Sequence, residues 1–493
     1  MTVVDRLSAL TPEQRALFDA LRRRQALPTG PPQPPPVPRV TGPTAAGDWP
    51  LSIDQERLWR LHQDDPELVA WNVDAASRMW GELDVAALAA ALREIVRRHA
   101  ALRTCFPRVD GRPVQRVAER VPLDLDLIDL TALPPERREP AGHRALFDHT
   151  RAVFDLERGP LVRAALVRLG TADHLCLLTL HHTVTDWITF QIVTQELMAL
   201  YEVARAGLPS PLPEPALQFP DFAVWERQWW RGEILADYTE FWRRELAGFP
   251  LVLDLPGPLP GHRPRPAVQS QRGGMIPFAT GPEPAHRLRA LARRAGVTTF
   301  MALLAVVDAL LFRLTGRDKL VVGSNGANRP RPELEPVVGF FLTQLPFAVD
   351  LAGDPTFREL LARVKQACLL AYSHQNMPFD KLVEVVAPVP DPSRNPVVQV
   401  LLLVLPGTSR ERAGGLDSEG VPLYDGNSRW DLLFGLYDFD DLGFSGAVEF
   451  NADVLDAATV ERWLALFRRI LKGVTADPEI RLSQLPALAE AAV

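Results

Sequence analysis

The segment Thr179-Leu180-His181-His182-Thr183-Val184-Thr185-Asp186 carries the residues best suited to chemistry. Two histidines end an apolar run, and an aspartate follows four residues after the second. Imidazole titrates near neutral pH, so His182 suits a general base. Asp186 suits a structural task, either capping the helix that follows or pairing with a cation. Adjacent residues at a strand end face opposite sides, so His181 reads as an inward, hydrogen-bonded histidine beside His182, although all three residues stay in the candidate catalytic set. Alone, HxxxD is a common word in a chain with 10 His and 61 acidic residues. Cys105, Cys176 and Cys368 lie far apart, without a CxxC pair for zinc or redox work. Cys176, inside Leu175-Cys176-Leu177-Leu178, reads as a small buried hydrophobe.

The elements that would hold this motif are legible from apolar spacing. Residues 174–182 read as a Leu-rich strand and residues 188–201 as a helix through Ile188, Ile192, Val193, Leu197, Leu200 and Tyr201. The histidines therefore sit at a strand-to-helix turn, where a scaffold holds a side chain rigidly beside a cleft. Residues 84–98 read as a helix with Asp84 as N-cap, and Leu88, Leu92, Ile95 and His99 share one face. Residues 299–314 predict an apolar helix, 319–323 a short buried strand, and 456–471 a closing amphipathic helix. Helices and strands interleave without a regular βαβ rhythm or a Gly-rich phosphate loop. That pattern argues for a layered α/β architecture other than a dinucleotide fold.

The 493 residues are 47% hydrophobic and 23% charged, enough to bury large cores. A net charge of −7 argues against nucleic acid, whose phosphates demand clustered Lys and Arg. No apolar run is long enough to span a bilayer, and no signal-peptide pattern opens the chain; a cytoplasmic protein is expected. Residues 1–26 read as a separate helical, docking-like segment, with Thr11-Pro12-Glu13-Gln14 as a capping box. Pro31, Pro32, Pro34, Pro35, Pro36 and Pro38 make 27–48 a semi-rigid linker that would hold that helix off the body. The body divides into lobes at 49–220 and 221–485, with Pro-rich crossings near 208–220 and 256–266 and a tail at 486–493.

Further words accompany the histidine motif. They are Leu51-Ser52-Ile53-Asp54-Gln55-Glu56-Arg57-Leu58-Trp59, Arg98-His99-Ala100-Ala101-Leu102-Arg103-Thr104-Cys105-Phe106 and Phe219-Pro220-Asp221-Phe222-Ala223-Val224-Trp225. Val338-Gly339-Phe340-Phe341, His374-Gln375-Asn376-Met377-Pro378-Phe379-Asp380-Lys381-Leu382 and Ser393-Arg394-Asn395-Pro396 follow. In this order they resemble the motifs of nonribosomal peptide synthetase condensation domains, over nearly the whole body.

The resemblance implies two chloramphenicol-acetyltransferase-like lobes forming a V-shaped pseudo-dimer, with the site at the seam and a loop of the second lobe crossing the first. It implies an acyltransferase that joins a carrier-bound acyl or aminoacyl thioester to an amine on a second carrier protein. The phosphopantetheine arms arrive on those donor and acceptor carriers; no cofactor or metal of its own is implied, and a monomer is expected. His182 would face the substrates, and Asp186 would pair with Arg329 in Gly323-Ser324-Asn325-Gly326-Ala327-Asn328-Arg329-Pro330. Two departures stand out. Trp187 replaces the signature Gly, so an indole must turn into the core or project into a tunnel. Thr343-Gln344 replaces the usual Asn-Thr. Acylation of a free small amine or alcohol, and a non-catalytic recruitment platform, are the alternative functions.

Overall fold

Side-chain caps decide where the helices around the motif begin. Ser52 and Gln55 cap each other reciprocally at the start of α1 (Ile53–Asp64). Asp84 accepts from Ala87 N–H and starts α2 (Val85–Arg98), as its spacing predicts. Asp186 accepts from Thr189 N–H and starts α4 (Trp187–Arg205), after α3 (Pro135–Thr150). The remaining helices are α5 (Phe219–Trp229), α6 (Gly232–Glu245), α7 (Pro282–Ala295), α8 (Thr299–Thr315), α9 (Phe357–Ser373), α10 (Phe379–Val386) and α11 (Ala457–Ala476). The computed structural model describes residues 33–488 apart from 43, 257–264, 388, 390 and 408–410. The expected docking helix within 1–26 and most of the second Pro-rich crossing lie outside the described residues.

Two six-stranded sheets carry the helices. The main strands are β1 (Asn72–Trp80), β2 (Leu125–Asp129), β3 (Val162–Gly170), β4 (Asp173–His181), β5 (Gly273–Ala279) and β6 (Lys319–Gly326). They continue with β7 (Thr343–Asp350), β8 (Val400–Pro406), β9 (Glu411–Ala413), β10 (Leu416–Gly420), β11 (Leu432–Phe439) and β12 (Gly443–Asn451). The first sheet runs β9-β10-β1-β4-β3-β2 and the second β5-β12-β11-β8-β6-β7. β9 and β10 thus come from the C-terminal half but extend the N-terminal sheet, with Asp417 opposite Trp80 and Gly420 opposite Ser77. This strap also hangs on α4: Arg205 donates to Gly414 O at 2.7 Å, and Gly414 N–H donates to Glu202 at 2.9 Å. A crossing loop would have left the β1 edge open, whereas the paired strap covers that edge and leaves the short β9 as the sheet's end.

Each sheet has its own apolar core. α8 fills the centre of the C-terminal one; Met301 to Leu311 are all buried, and apart from Asp308 every one of them is apolar. The N-terminal core takes Leu334, Val337, Val338, Phe340 and Phe341 from the segment after β6, a second crossing between the halves. Packing changes sides at the tryptophan cluster. Trp225 belongs to the N-terminal core and stacks on Trp229 with ring centroids 6.2 Å apart, while Trp230 packs into the C-terminal core.

The proline-rich stretch differs from a free spacer over its described part. Val37 is buried and its N–H reaches Glu333; Val40 and Thr41 N–H both donate to Asp221 at 2.8 Å. Residues Gly47–Trp49 then pair with Gln115–Val117. A chain without backbone donors at its prolines forms no sheet of its own, but side-chain carboxylates on α5 and near Pro332 capture the donors it retains.

Candidate active site

The turn after β4 fixes the two histidines in opposite surroundings. β1 pairs with β4 so that Asn72 lies opposite His181. His182 N–H donates to Trp71 O at 2.8 Å, which pins the first residue beyond the strand. The His182 ring then hydrogen-bonds Thr185 O through Nδ1 at 2.8 Å. A carbonyl only accepts, so Nδ1 carries the proton and Nε2 presents its lone pair. The ring packs edge-on to Phe340, centroids 5.1 Å apart, and tilts against Trp71. His182 lines a cavity of about 640 Å³ between the two sheets. Burial, and then the Arg429 guanidinium, hold its pKa down at about 4. The imidazole is therefore neutral at physiological pH and can accept, but not donate, through Nε2 until it takes up a proton.

His181, expected in the catalytic set, is sealed from that cavity. It is 1% exposed and wedged against His62 and Phe154, and its Nδ1 meets Thr183 Oγ1 at 2.9 Å. Burial drives its pKa well below the ordinary histidine value. The strand-end alternation that sends His182 to the cavity sends His181 to the core, and His181 is not among the residues that line the cavity.

Asp186 fills both of its anticipated roles at once. One carboxylate oxygen caps α4 through Thr189 N–H at 2.7 Å. The guanidinium of Arg329 donates to both oxygens, at 2.9 and 3.2 Å, and Phe341 N–H adds a bond at 3.1 Å. Both side chains of the ion pair are 3% exposed. Arg329 also lies over the Phe341 ring, 4.1 Å from its centroid, and donates to Val337 O. Thr189 closes the same seam through Gly339, whose carbonyl accepts from Thr189 Oγ1 at 2.8 Å. A buried, multiply bonded ion pair thus joins the His182 loop to the second half.

Trp187 resolves toward the cavity. It opens α4 with ordinary helical backbone, is 39% exposed, lines the cavity, and meets Tyr437 of β11 edge-on with centroids 6.3 Å apart. Gln344 lines the cavity too, so both departures from the family pattern touch the same space. The three cysteines stay unactivated: burial raises Cys105, Cys176 (to about 11) and Cys368.

Sequence reasoning missed Arg429. It lies over the Trp71 ring at 4.8 Å, donates to Ala70 O and Asn72 O, and lines the cavity beside His182. The motif Ser393-Arg394-Asn395-Pro396 supports it, because Asn395 donates to Arg429 O. The one available signal was a cation in Arg429-Trp430-Asp431, just ahead of the apolar strand that starts at Leu432. Asp74 and Glu449 share this end of the cavity, pushed up by burial to about 6 and about 7.

Comparison with known proteins agrees with this geometry. The Condensation domain family profile matches residues 45–492. A linear gramicidin synthase from Brevibacillus parabrevis is 36% identical over 446 residues, 89% of this chain and 6% of that much longer protein. The X-domain from teicoplanin biosynthesis, solved in complex with OxyB, superposes with a TM-score of 0.80 and 32% identity over 93% of this chain and 99% of that one. The first condensation domain of the calcium-dependent antibiotic synthetase, 21% identical over 89% of this chain and 99% of that one, shares the fold at a TM-score of 0.75. With the family profile covering most of the chain and a fold shared with solved condensation domains, the chain belongs to the condensation-domain family of nonribosomal peptide synthetases.

Proposed function

We propose that the chain joins an acyl or aminoacyl thioester on a donor carrier protein to an amine on an acceptor carrier protein, both groups arriving on phosphopantetheine arms. The observation that carries this reading is the His182 ring, locked through Nδ1 to Thr185 O with Nε2 toward the cavity. A base held at about 4 does not strip an ammonium ion whose pKa is about 8. The acceptor amine therefore arrives neutral, and His182 orients it by accepting its N–H. As nitrogen attacks the thioester carbonyl, that nitrogen becomes a strong acid. Nε2 takes its proton, the C–S bond breaks, and the proton passes to the departing sulfur, giving amide and free thiol. Asp186 and Arg329 act as positioning residues for the His182 loop. Residues 1–26 serve as a docking segment for a partner synthetase, and the lobes divide near 220.

A second reading, recruitment without catalysis, is favoured by the likeness to the teicoplanin X-domain bound to OxyB and by the indole of Trp187 standing in the cavity. One experiment separates the two. Donors and acceptors are loaded on carrier proteins and products read by intact-protein mass spectrometry, with wild type and His182→Ala in parallel. Amide on the acceptor carrier, lost with His182→Ala, supports transfer. Product on a free amine or alcohol redirects it to small acceptors, and carrier binding without product supports recruitment.

A further inference from the structure

Gln344 is an amide for which the fold has no structural use. Among the described residues the buried glutamines are Gln55, Gln115, Gln218, Gln344 and Gln399. All but Gln344 hold backbone groups in place. Gln55 donates to Thr183 O at 2.9 Å, Gln115 to Pro50 O at 2.6 Å, and Gln218 to Arg98 O at 2.8 Å. Gln399 donates to Asn395 O at 2.6 Å and accepts from Leu253 N–H at 2.8 Å. Gln344 is 8% exposed, and its side chain makes no hydrogen bond among the described residues. Neither of its amide atoms is closed off: both keep open surface, unlike the sealed carboxyl oxygens of Asp308.

Strand alternation sets the direction of this side chain. Leu345, the next residue of β7, packs into the C-terminal core, so Gln344 takes the opposite face and lines the cavity that holds His182. Asn325 of β6 stands directly across the β6–β7 pairing from it and lines the same wall. Opposed side chains on neighbouring strands are within reach of each other, yet these two carboxamides are not bonded together. Asn325 Nδ2 is likewise open and without a partner among the described residues. The pair is close to the chemistry. Phe340 packs against the His182 ring, and Gln344 follows four residues later, no more than roughly 14 Å of extended chain away. A buried polar group without partners calls for an explanation. A cation would be met by a carboxylate and an anion by a cation. Two open carboxamides suit an uncharged ligand that both donates and accepts.

We propose that Gln344 is a specificity-determining residue that reads a secondary amide of the substrate, Nε2 donating to the amide carbonyl oxygen and Oε1 accepting the amide N–H, with Asn325 Nδ2 as a further donor. This rests on the reading of the cavity as the passage for carrier-borne thioesters. The amide has two sources there, a peptide bond of the acyl chain or the phosphopantetheine arm itself. A site built to bond an N–H discriminates against an analogue that lacks it, because the site's own acceptor is then left unmet. The threonine usual in the family at this place offers only a shorter hydroxyl, so the two-pronged contact belongs to this chain.

The test uses the full chain with Gln344→Met, which keeps the length and removes both hydrogen-bonding atoms, and Gln344→Thr, which restores the family residue. The parent donor carries a peptide bond in its acyl chain. One analogue replaces that N–H by an ester oxygen, and another keeps the peptide bond but has esters for the amides of its pantetheine arm. Wild type is expected to lose about 5- to 10-fold in kcat/KM on the analogue that lacks the amide Gln344 reads, the loss of one hydrogen bond. Both variants should be slower than wild type by about that factor on the parent donor and indifferent to that replacement, while melting at or above the wild-type temperature. Sensitivity to the acyl ester assigns the peptide bond, and sensitivity to the pantetheine esters assigns the arm. Full activity in Gln344→Met overturns the proposal. So does a wild type no more sensitive to either analogue than Gln344→Met, or activity and melting temperature falling together. Absence of product from wild type with every substrate pair would sink the transfer reading instead. Calorimetry with stable thioether versions of the same donors then decides Gln344 by itself: weaker binding of the amide-bearing compound to Gln344→Met supports the contact, and equal binding removes it.

Discussion

Replacing Arg329 by Ala probes the joint between the two halves. The substitution deletes two charge-assisted hydrogen bonds to Asp186, one to Val337 O, and the packing of the guanidinium on Phe341. Asp186, 2% exposed in the intact protein, keeps only Thr189 N–H and Phe341 N–H as donors. Removing one partner of a buried ion pair costs about 3–5 kcal/mol, because the other charge stays behind without water. With an unfolding entropy of roughly 2.1 cal/mol/K per residue, that lowers the melting temperature by about 3–5 °C if the chain unfolds as one unit, and roughly twice as much if one lobe melts alone. Arg329→Lys keeps the charge but loses the two-pronged fork and should fall between. Asp186→Asn combined with Arg329→Met removes both charges and should recover part of the loss, giving a coupling energy from the double-mutant cycle. Thermal and urea unfolding measure these changes, and carrier-to-carrier transfer assayed well below the melting point measures how far the His182 loop has moved. An Arg329→Ala protein that melts within about 1 °C of wild type, where a shift of several degrees is expected, and transfers normally would refute the reasoning.

The pH dependence of stability should carry two opposed limbs. His182 is held at about 4 in the folded chain against an ordinary 6.5, so its contribution is complete above 6.5 and lost as pH falls from there toward 4. Glu226 and Glu449 are raised by burial from 4.5 to about 7, so their contributions are complete below 4.5 and lost as pH rises through about 7. Melting curves across this range should lose part of the acid limb in His182→Asn, buried His181 and His374 carrying more of it, and part of the neutral limb in Glu449→Gln; unchanged curves would contradict the assignment. Trp187→Gly should enlarge the cavity beside Tyr437 and raise transfer of bulky residues relative to small ones, read as a product ratio from mixed substrates. A constant ratio, with melting unchanged apart from a Gly penalty of about 1 kcal/mol at most, would remove Trp187 from substrate selection.

Local pattern determined a large part of this protein. Asp84, Asp186 and the apolar stripes place α2, α4, α8 and α11 within a few residues, because caps and helical periodicity act over one or two turns. The Leu-rich strand and the opposite facing of the two histidines at its end follow from local pattern, whereas the choice of His182 as the ring that faces the substrates came from the family resemblance. The pairing of Asp186 with Arg329, 143 residues away, entered only through a family resemblance; spacing has no means of showing it.

Tertiary structure decided the rest. The fixed tautomer and depressed pKa of His182 depend on Thr185 O, on burial and on Arg429, whose approach requires the second half to fold back over the first. Arg429 looks like an ordinary surface charge in the sequence, and only the closing of the cavity makes it a neighbour of the imidazole. The strap at β9–β10 and the docked stretch after Val37 were equally hidden, because each is held by partners on elements distant in sequence. Periodicity records which face of an element avoids water; it does not record which other element supplies the cover, and the chemistry of this site is set by that cover.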